Sequence, residues 1–125
     1  MKNKKNVLIC GATGFIGKNV LDRFSTKGEY NIRAVDDVKR VMKDIDIVIQ
    51  LAATTSGAKD IVNRPYIHVT DNAVMNSLLL REAYENNVEH FIFPSCTVMY
   101  QPSKVGLTEE DCDGNDRLLS KYFGV

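Results

Sequence analysis

The sequence predicts an α/β protein built on a doubly wound parallel sheet of about four strands. Three observations carry this. Short apolar runs of strand length recur along the chain, and stretches with helical apolar spacing separate them. The first run ends on a glycine-rich turn that opens the first such stretch. The chain has 125 residues, too few for two ordinary domains, so residues 1–125 are read as one unit.

Each element has its own signal. Val7 to Cys10 is wholly apolar and stops at glycine, as a strand buried on both faces should. Ile16, Val20, Leu21 and Phe24 then form one helical stripe, and Gly28 closes the loop after it. Asn31 to Val35 reads as a second strand through Ile32 and Val35. Val38, Val41 and Met42 suit a short helix, and Ile45 to Leu51 a strong third strand. A loop rich in Thr, Ser and Gly runs from Thr54 to about Lys59. Val74, Met75, Leu78, Leu79 and Ala83 mark a longer helix, with Asp71 or Asn72 as its cap. Phe91-Ile92-Phe93 is the fourth strand, ended by Pro94. Gln101 to Asn115 reads as loop and Asp116 to Phe123 as a last short helix. One spacing is irregular. Only Asp36 to Asp44 separates the second strand from the third, less than the dozen or so residues a parallel crossover needs. Either that connection is very tight or the second strand is ragged.

Composition removes several classes of function. Sixteen basic and sixteen acidic side chains cancel, so no net field gathers nucleic acid or an anionic membrane. The basic start, Met1 to Lys5, reads as a short solvated tail. No apolar run nears the roughly 18 residues of a membrane span. The glycine turn after Cys10 interrupts what a signal peptide would need. Cys10, Cys96 and Cys112 include no close pair and leave one thiol over, which points to reduced cysteines in a cytoplasm. His68 and His90 have neither metal-ligand spacing nor a partner acid, so no metal is expected.

The strongest chemical signal is Gly11-Ala12-Thr13-Gly14-Phe15-Ile16-Gly17, set between strand and helix. Gly11 permits the tight turn, Gly14 lets a pyrophosphate approach the backbone, and Gly17 lets helix and strand pack closely. The amides of Phe15 and Ile16 then face the phosphates, favoured by the helix dipole. Asp36 lies 19 residues beyond Gly17, at the end of the expected second strand. An acid there holds the adenosine ribose and repels a 2′-phosphate, which favours NAD over NADP. Asp37 competes for that role because the short connection blurs the register. This is a Rossmann-like, NAD-binding pattern.

These residues also resemble a family. Gly11-x-x-Gly14-Phe15-Ile16-Gly17 is similar to the signature of extended short-chain dehydrogenases/reductases, in the NAD-dependent epimerase/dehydratase group that acts on nucleotide sugars. Asp46-Ile47-Val48-Ile49-Gln50-Leu51-Ala52-Ala53 resembles its fourth strand, whose Leu-Ala-Ala turn borders the cofactor. Asn72 stands where the family has an asparagine opening its long helix. Phe91 to Tyr100 resembles the fifth strand and active-site serine turn, and Ser120-Lys121 with Gly124 the end of a Tyr-x-x-x-Lys helix. The resemblance implies cofactor contacts from Gly11, Gly14, Phe15, Ile16, Gly17, Asp36, Leu51, Ala52, Ala53, Asn72 and Lys121. It leaves Lys121, Cys96 and Thr97 as vestiges of the catalytic set.

The departures from the family are chemical. Its proton-transferring tyrosine falls on Arg117, four residues before Lys121, and an arginine stays protonated in proteins. Tyr122 is adjacent to Lys121 and so turned away around the helix, and Tyr100 lies on the serine-turn loop. The serine position falls on Cys96, whose thiol is a weak donor, unless Ser95 or Thr97 shifts into place. Cys96 reads as a buried filler rather than a nucleophile, since no histidine is placed to activate it. The family's helix and strand after its second strand are missing, and its C-terminal substrate domain does not occur in these residues. Family members commonly dimerise through the long helix and the Tyr-x-x-x-Lys helix, so Leu118, Leu119 and Phe123 suggest a homodimer. Three functions follow as alternatives. They are an NAD-binding domain without catalysis, a small active NAD-dependent oxidoreductase or epimerase, and a remnant or engineered fragment that binds no ligand.

Overall fold

The computed structural model describes residues 4–21, 23, 30–55, 58–95, 100 and 103–111. The chain divides into two compact units, Met1–Phe93 and Pro94–Val125. In the first, the elements run β1 (Val7–Cys10), α1 (Phe15–Leu21), α2 (Val35–Val41), β2 (Ile47–Gln50), α3 (Ala58–Asn63), α4 (Pro65–Glu85) and β3 (His90–Ile92). The strands form one parallel sheet in the order β1-β2-β3. Val7 pairs with Ile47 and Cys10 with Gln50, while Ile47 pairs with His90 and Ile49 with Ile92. In the second unit, the described residues include a 3-10 turn, Glu109–Asp111. The Asp111 carboxylate accepts the Thr108 N–H at 2.8 Å and holds that turn's start.

The Rossmann-like α/β architecture is as expected, but the sheet has three strands among the described residues, not about four. Asn31 to Val35 is not a strand. The Asn31 side chain accepts the Arg33 N–H at 3.1 Å, and the Asn31 carbonyl accepts the Ala34 N–H at 2.8 Å. This local turn chemistry outcompetes a ladder that only two apolar side chains favour. Ala34, with extended backbone, then leads into α2, and its carbonyl accepts the Val38 N–H at 3.0 Å. The suspiciously short crossover therefore disappears: β1 pairs directly with β2, and residues 11–46 connect them.

Helix α4 also begins earlier than its apolar spacing suggests. Pro65 at its start loses nothing by lacking an N–H there. Asp71 and Asn72 consequently lie inside the helix and cap nothing. At the other end Asn87, with φ 55°, takes the left-handed conformation that stops helices, and the Val88 N–H reaches the Ala83 carbonyl at 2.9 Å. Helix α3 takes over the end of the stretch read as loop, Ala58 and Lys59, and runs on to Asn63, where the sequence suggested no element; β3 starts one residue before Phe91. The positions of Phe24, Gly28 and the expected helix over Asp116 to Phe123 lie outside the described residues.

The core joins one face of the sheet to α2 and α4. Val38, Met42, Val48 and Leu79 are fully buried together, with Cys10 and Ala83 beside them. Leu8, Ile32, Ile45, Leu78, Val88 and Phe91 pack around this cluster. Val74, expected on the inner stripe of α4, is instead exposed. Among the described residues, no helix is long and apolar enough to cross a membrane.

Candidate functional site

The C-terminal ends of β1 and β2 lie side by side, and the candidate site is built there. The Leu51 N–H donates to the Cys10 carbonyl at 3.0 Å, carrying the pairing one residue past the ladder. Gly11 then turns with φ 77°, a conformation that disfavours any side chain. A Cβ on Gly11 would sit 2.6 Å from the Ala52 nitrogen, so the turn rests directly on the Leu51-Ala52 backbone. The Gly14 N–H closes the turn on the Gly11 carbonyl at 3.0 Å, and the Lys18 N–H makes the first helical bond to Gly14. The amides of Phe15, Ile16 and Gly17 are thereby left without acceptors inside α1.

The three glycines do different things. A Cβ on Gly17 would fall 2.0 Å from the Gly11 carbonyl oxygen, so α1 and the turn meet backbone to backbone. Gly11 and Gly17 are thus demanded by the fold itself. Gly14 is held far less tightly: its Cβ would meet only the Gly11 oxygen, at a close 3.3 Å. Its lack of a side chain leaves room for a group from outside the chain, as a pyrophosphate against the backbone requires. The turn fits a dinucleotide.

Segment 51–55 is the other wall, and side-chain amides hold it. Gln50, at 1% exposure, donates from Nε2 to the Ala52 carbonyl at 3.1 Å and accepts the Ala52 N–H on Oε1 at 3.2 Å. Its remaining hydrogen goes to Asn76 Oδ1 at 2.9 Å. Asn72 treats Thr54 the same way: Oδ1 accepts the Thr54 N–H at 2.7 Å, and Nδ2 donates to the Thr54 carbonyl at 3.1 Å. Nδ2 also donates to the His68 carbonyl, at 2.6 Å. Asp71 Oδ2 accepts from Thr54 Oγ1 at 3.2 Å and from Arg33 at 2.8 Å, tying the approach to α2 onto the same place.

The structure therefore brings Gly11, Gly14, Gly17, Leu51 and Ala52 together, with Asn72 behind Thr54. Phe15 and Ile16 are exposed at the start of α1, and Ala53 is exposed in the loop. Asp36 is not at a strand end, because that strand does not form. It lies in the first turn of α2 and is exposed, while Asp37 accepts the Asn31 N–H at 3.1 Å and pairs with Arg40 at 2.6 Å. Cys96, Thr97 and Lys121, with Arg117 and Tyr122, lie outside the described residues. Gln50, Asn76 and Asp71 were not anticipated as parts of the site. A glutamine closing the apolar run Ile47-Val48-Ile49 was the available signal, because buried polar groups need partners.

Cys10 ends β1 beneath this turn, at 4% exposure, and burial pushes its thiol up to about 12. The thiolate is the reactive form. Native protein at pH 8 is expected to leave Cys10 unlabelled by iodoacetamide, while urea-unfolded protein is labelled there. Peptide mapping checks this, and rapid native labelling of Cys10 would contradict the burial.

The family model described as "NAD dependent epimerase/dehydratase family" matches residues 7–123. GDP-mannose 3,5-epimerase 1 of Oryza sativa subsp. indica is 25% identical over 137 aligned residues, covering 86% of this chain and 36% of that protein. The chain thus spans about a third of the length of that curated relative. Among solved structures, UDP-N-acetylglucosamine 4-epimerase from Bacillus cereus superposes with a TM-score of 0.69 at 19% identity, over 98% of this chain and 51% of that one. The GDP-mannoheptose C4 reductase MlghC of Campylobacter jejuni, solved with NADP bound, gives 0.72 at 19% identity, over 99% and 41%. At these identities the two structures speak to the fold alone, whereas the family match runs through the glycine turn and nearly the whole chain. The chain belongs to the NAD-dependent epimerase/dehydratase family.

Proposed function

We propose that the chain is a nicotinamide-dinucleotide-binding unit of the nucleotide-sugar type that performs no proton transfer of its own. The observation that carries this is Gly14, an exposed glycine where internal packing crowds a side chain far less than at Gly11 and Gly17, the two that the fold demands. Gly11 and Gly17 would hold the turn, the amides of Phe15 and Ile16 would meet the pyrophosphate, and Leu51 to Ala53 would border the nicotinamide side. A bound dinucleotide would supply hydride acceptance and return. A sugar nucleotide is the substrate class that the relatives' names suggest, and Arg117 at the tyrosine position argues against turnover. Calorimetric titration of the full chain with NAD tests the reading, and no heat of binding at millimolar NAD would remove it.

NAD is proposed over NADP on the strength of the exposed Asp36 carboxylate, which would repel a 2′-phosphate. Two like unit charges 4 Å apart in water repel by about 1 kcal/mol, roughly fivefold in affinity. Asp36→Ala is therefore expected to narrow the NAD preference by about that factor. Equal wild-type affinities for the two cofactors would show that Asp36 faces elsewhere. A homodimer through α4 belongs to the same reading, because Tyr66, Val69, Leu80 and Tyr84 are exposed along it. Light scattering at the monomer mass would exclude it.

A further inference from the structure

We propose that Gln50, oriented by Asn76, and Asn72 are positioning residues that clasp segment 51–55 onto α4 and thereby keep the glycine turn in its ligand-binding form. This rests on the dinucleotide reading above. Its starting point is a pairing repeated on alternate peptides. Gln50 grips both polar groups of Ala52, and Asn72 grips both polar groups of Thr54. Each side chain thus does for one residue what a neighbouring strand would do, beyond the point where β2 stops. Turned end for end, the Gln50 amide would set oxygen against oxygen and N–H against N–H at Ala52. Asn76, accepting the second Nε2 hydrogen at 2.9 Å, fixes the productive orientation.

The clasp reaches the turn through contact. Ala52 lies so close beneath Gly11 that a single added carbon would overlap it. If Ala52 drifts, Gly11 loses the surface against which its left-handed turn is seated. Burying a glutamine in an apolar strand end is costly unless every polar atom is met. Gln50 meets that condition: both amide hydrogens and the oxygen are used. Asn72 is likewise committed to protein backbone, with Oδ1 on Thr54 and Nδ2 shared between Thr54 and His68. Its place in the site is to act through the segment rather than on the ligand.

The test uses the full chain with Asn72→Ala, Asn76→Leu and Asn76→Asp, the last keeping an acceptor for Gln50. Amide hydrogen exchange at Ala52 and Thr54 is measured by NMR, NAD affinity by calorimetry and global stability by thermal unfolding. A net hydrogen bond corresponds to roughly two- to twelvefold in an equilibrium. Asn72→Ala is expected to speed Thr54 exchange, and Asn76→Leu to speed Ala52 exchange, by about tenfold. Both should raise the Kd for NAD by a similar factor while the Val48 and Leu79 amides stay protected. Asn76→Asp should hold both readouts within about twofold of wild type. Weaker binding with unchanged exchange would overturn the proposal by showing that Asn72 touches the ligand itself. Faster exchange with unchanged affinity would overturn it by separating the segment from the site. Failure of the dinucleotide reading is distinguishable, since the wild type would then bind no NAD before any variant is made.

Discussion

Gly14→Val is expected to abolish dinucleotide binding in a protein that still folds, and Gly17→Ala to unfold it or nearly so. The two positions are three residues apart in one turn, and their backbones face different things. At Gly17 the added carbon overlaps the Gly11 oxygen at 2.0 Å and lies 2.8 Å from Ala12 Cα. All of those atoms are backbone, so no side chain can rotate away, and α1 must leave the turn. Overpacking of this kind costs about 3 kcal/mol or more, against a total stability of roughly 5–15 kcal/mol for a domain. At Gly14 the added carbon meets one backbone oxygen at 3.3 Å, a tight contact that asks for a shift of a few tenths of an ångström rather than the parting of α1 from the turn. Valine there fills the space a pyrophosphate would need, and a loss of at least about hundredfold in affinity is expected, near 2.7 kcal/mol. Urea unfolding and calorimetry on both variants separate the effects. Unchanged NAD affinity in a folded Gly14→Val protein would leave the cofactor reading without its main support.

What was legible in the sequence is what local physics alone decides. Val7 to Cys10 and Ile47 to Ile49 are uninterrupted apolar runs of strand length that read as buried strands, and both form. The glycine spacing announced the turn, and its packing on Ala52 is the geometry such spacing serves. The second strand failed because Ile32 and Val35 are compatible with two structures. Alternation favoured a strand, but Asn31 offers its side chain and its carbonyl to the next turn of chain, and Asp37 reaches back to the Asn31 N–H. The misplacement of Asp36 followed from that one error. The start of α4 was missed for a different reason. Asp71 and Asn72 have capping chemistry, yet that chemistry is spent on Arg33, Thr54 and His68, partners remote in sequence or a turn away. Side-chain amides that hold a loop leave no periodic trace. Only Gln50, polar at the end of an apolar run, hinted at the clasp.

The second large effect concerns chemistry. The 125-residue chain is expected to show no epimerase or dehydratase turnover with NAD and a panel of nucleotide sugars. The residue four before Lys121 is Arg117, where the family resemblance places the tyrosine that moves the proton. A guanidinium keeps its protons at neutral pH and cannot cycle between acid and base, and positioned acid–base catalysis is worth roughly 10²- to 10⁴-fold. Arg117→Tyr would restore the spacing of four that sets tyrosine and lysine on one helix face. Alone it is expected to leave turnover undetected, because Cys96 still replaces the serine hydroxyl with a poor donor. Adding Cys96→Ser supplies that donor, so any turnover above wild type is expected in the double variant before either single one. It is expected to be weak, because these residues include no counterpart of the family's sugar-binding part. NADH absorbance and product chromatography on wild type, single and double variants decide the matter. Turnover by the wild type would show that another group moves the proton, with Tyr100 and Tyr122 the first to replace. Turnover in Arg117→Tyr alone would show that the tyrosine was the sole deficiency and that the Cys96 thiol suffices beside it.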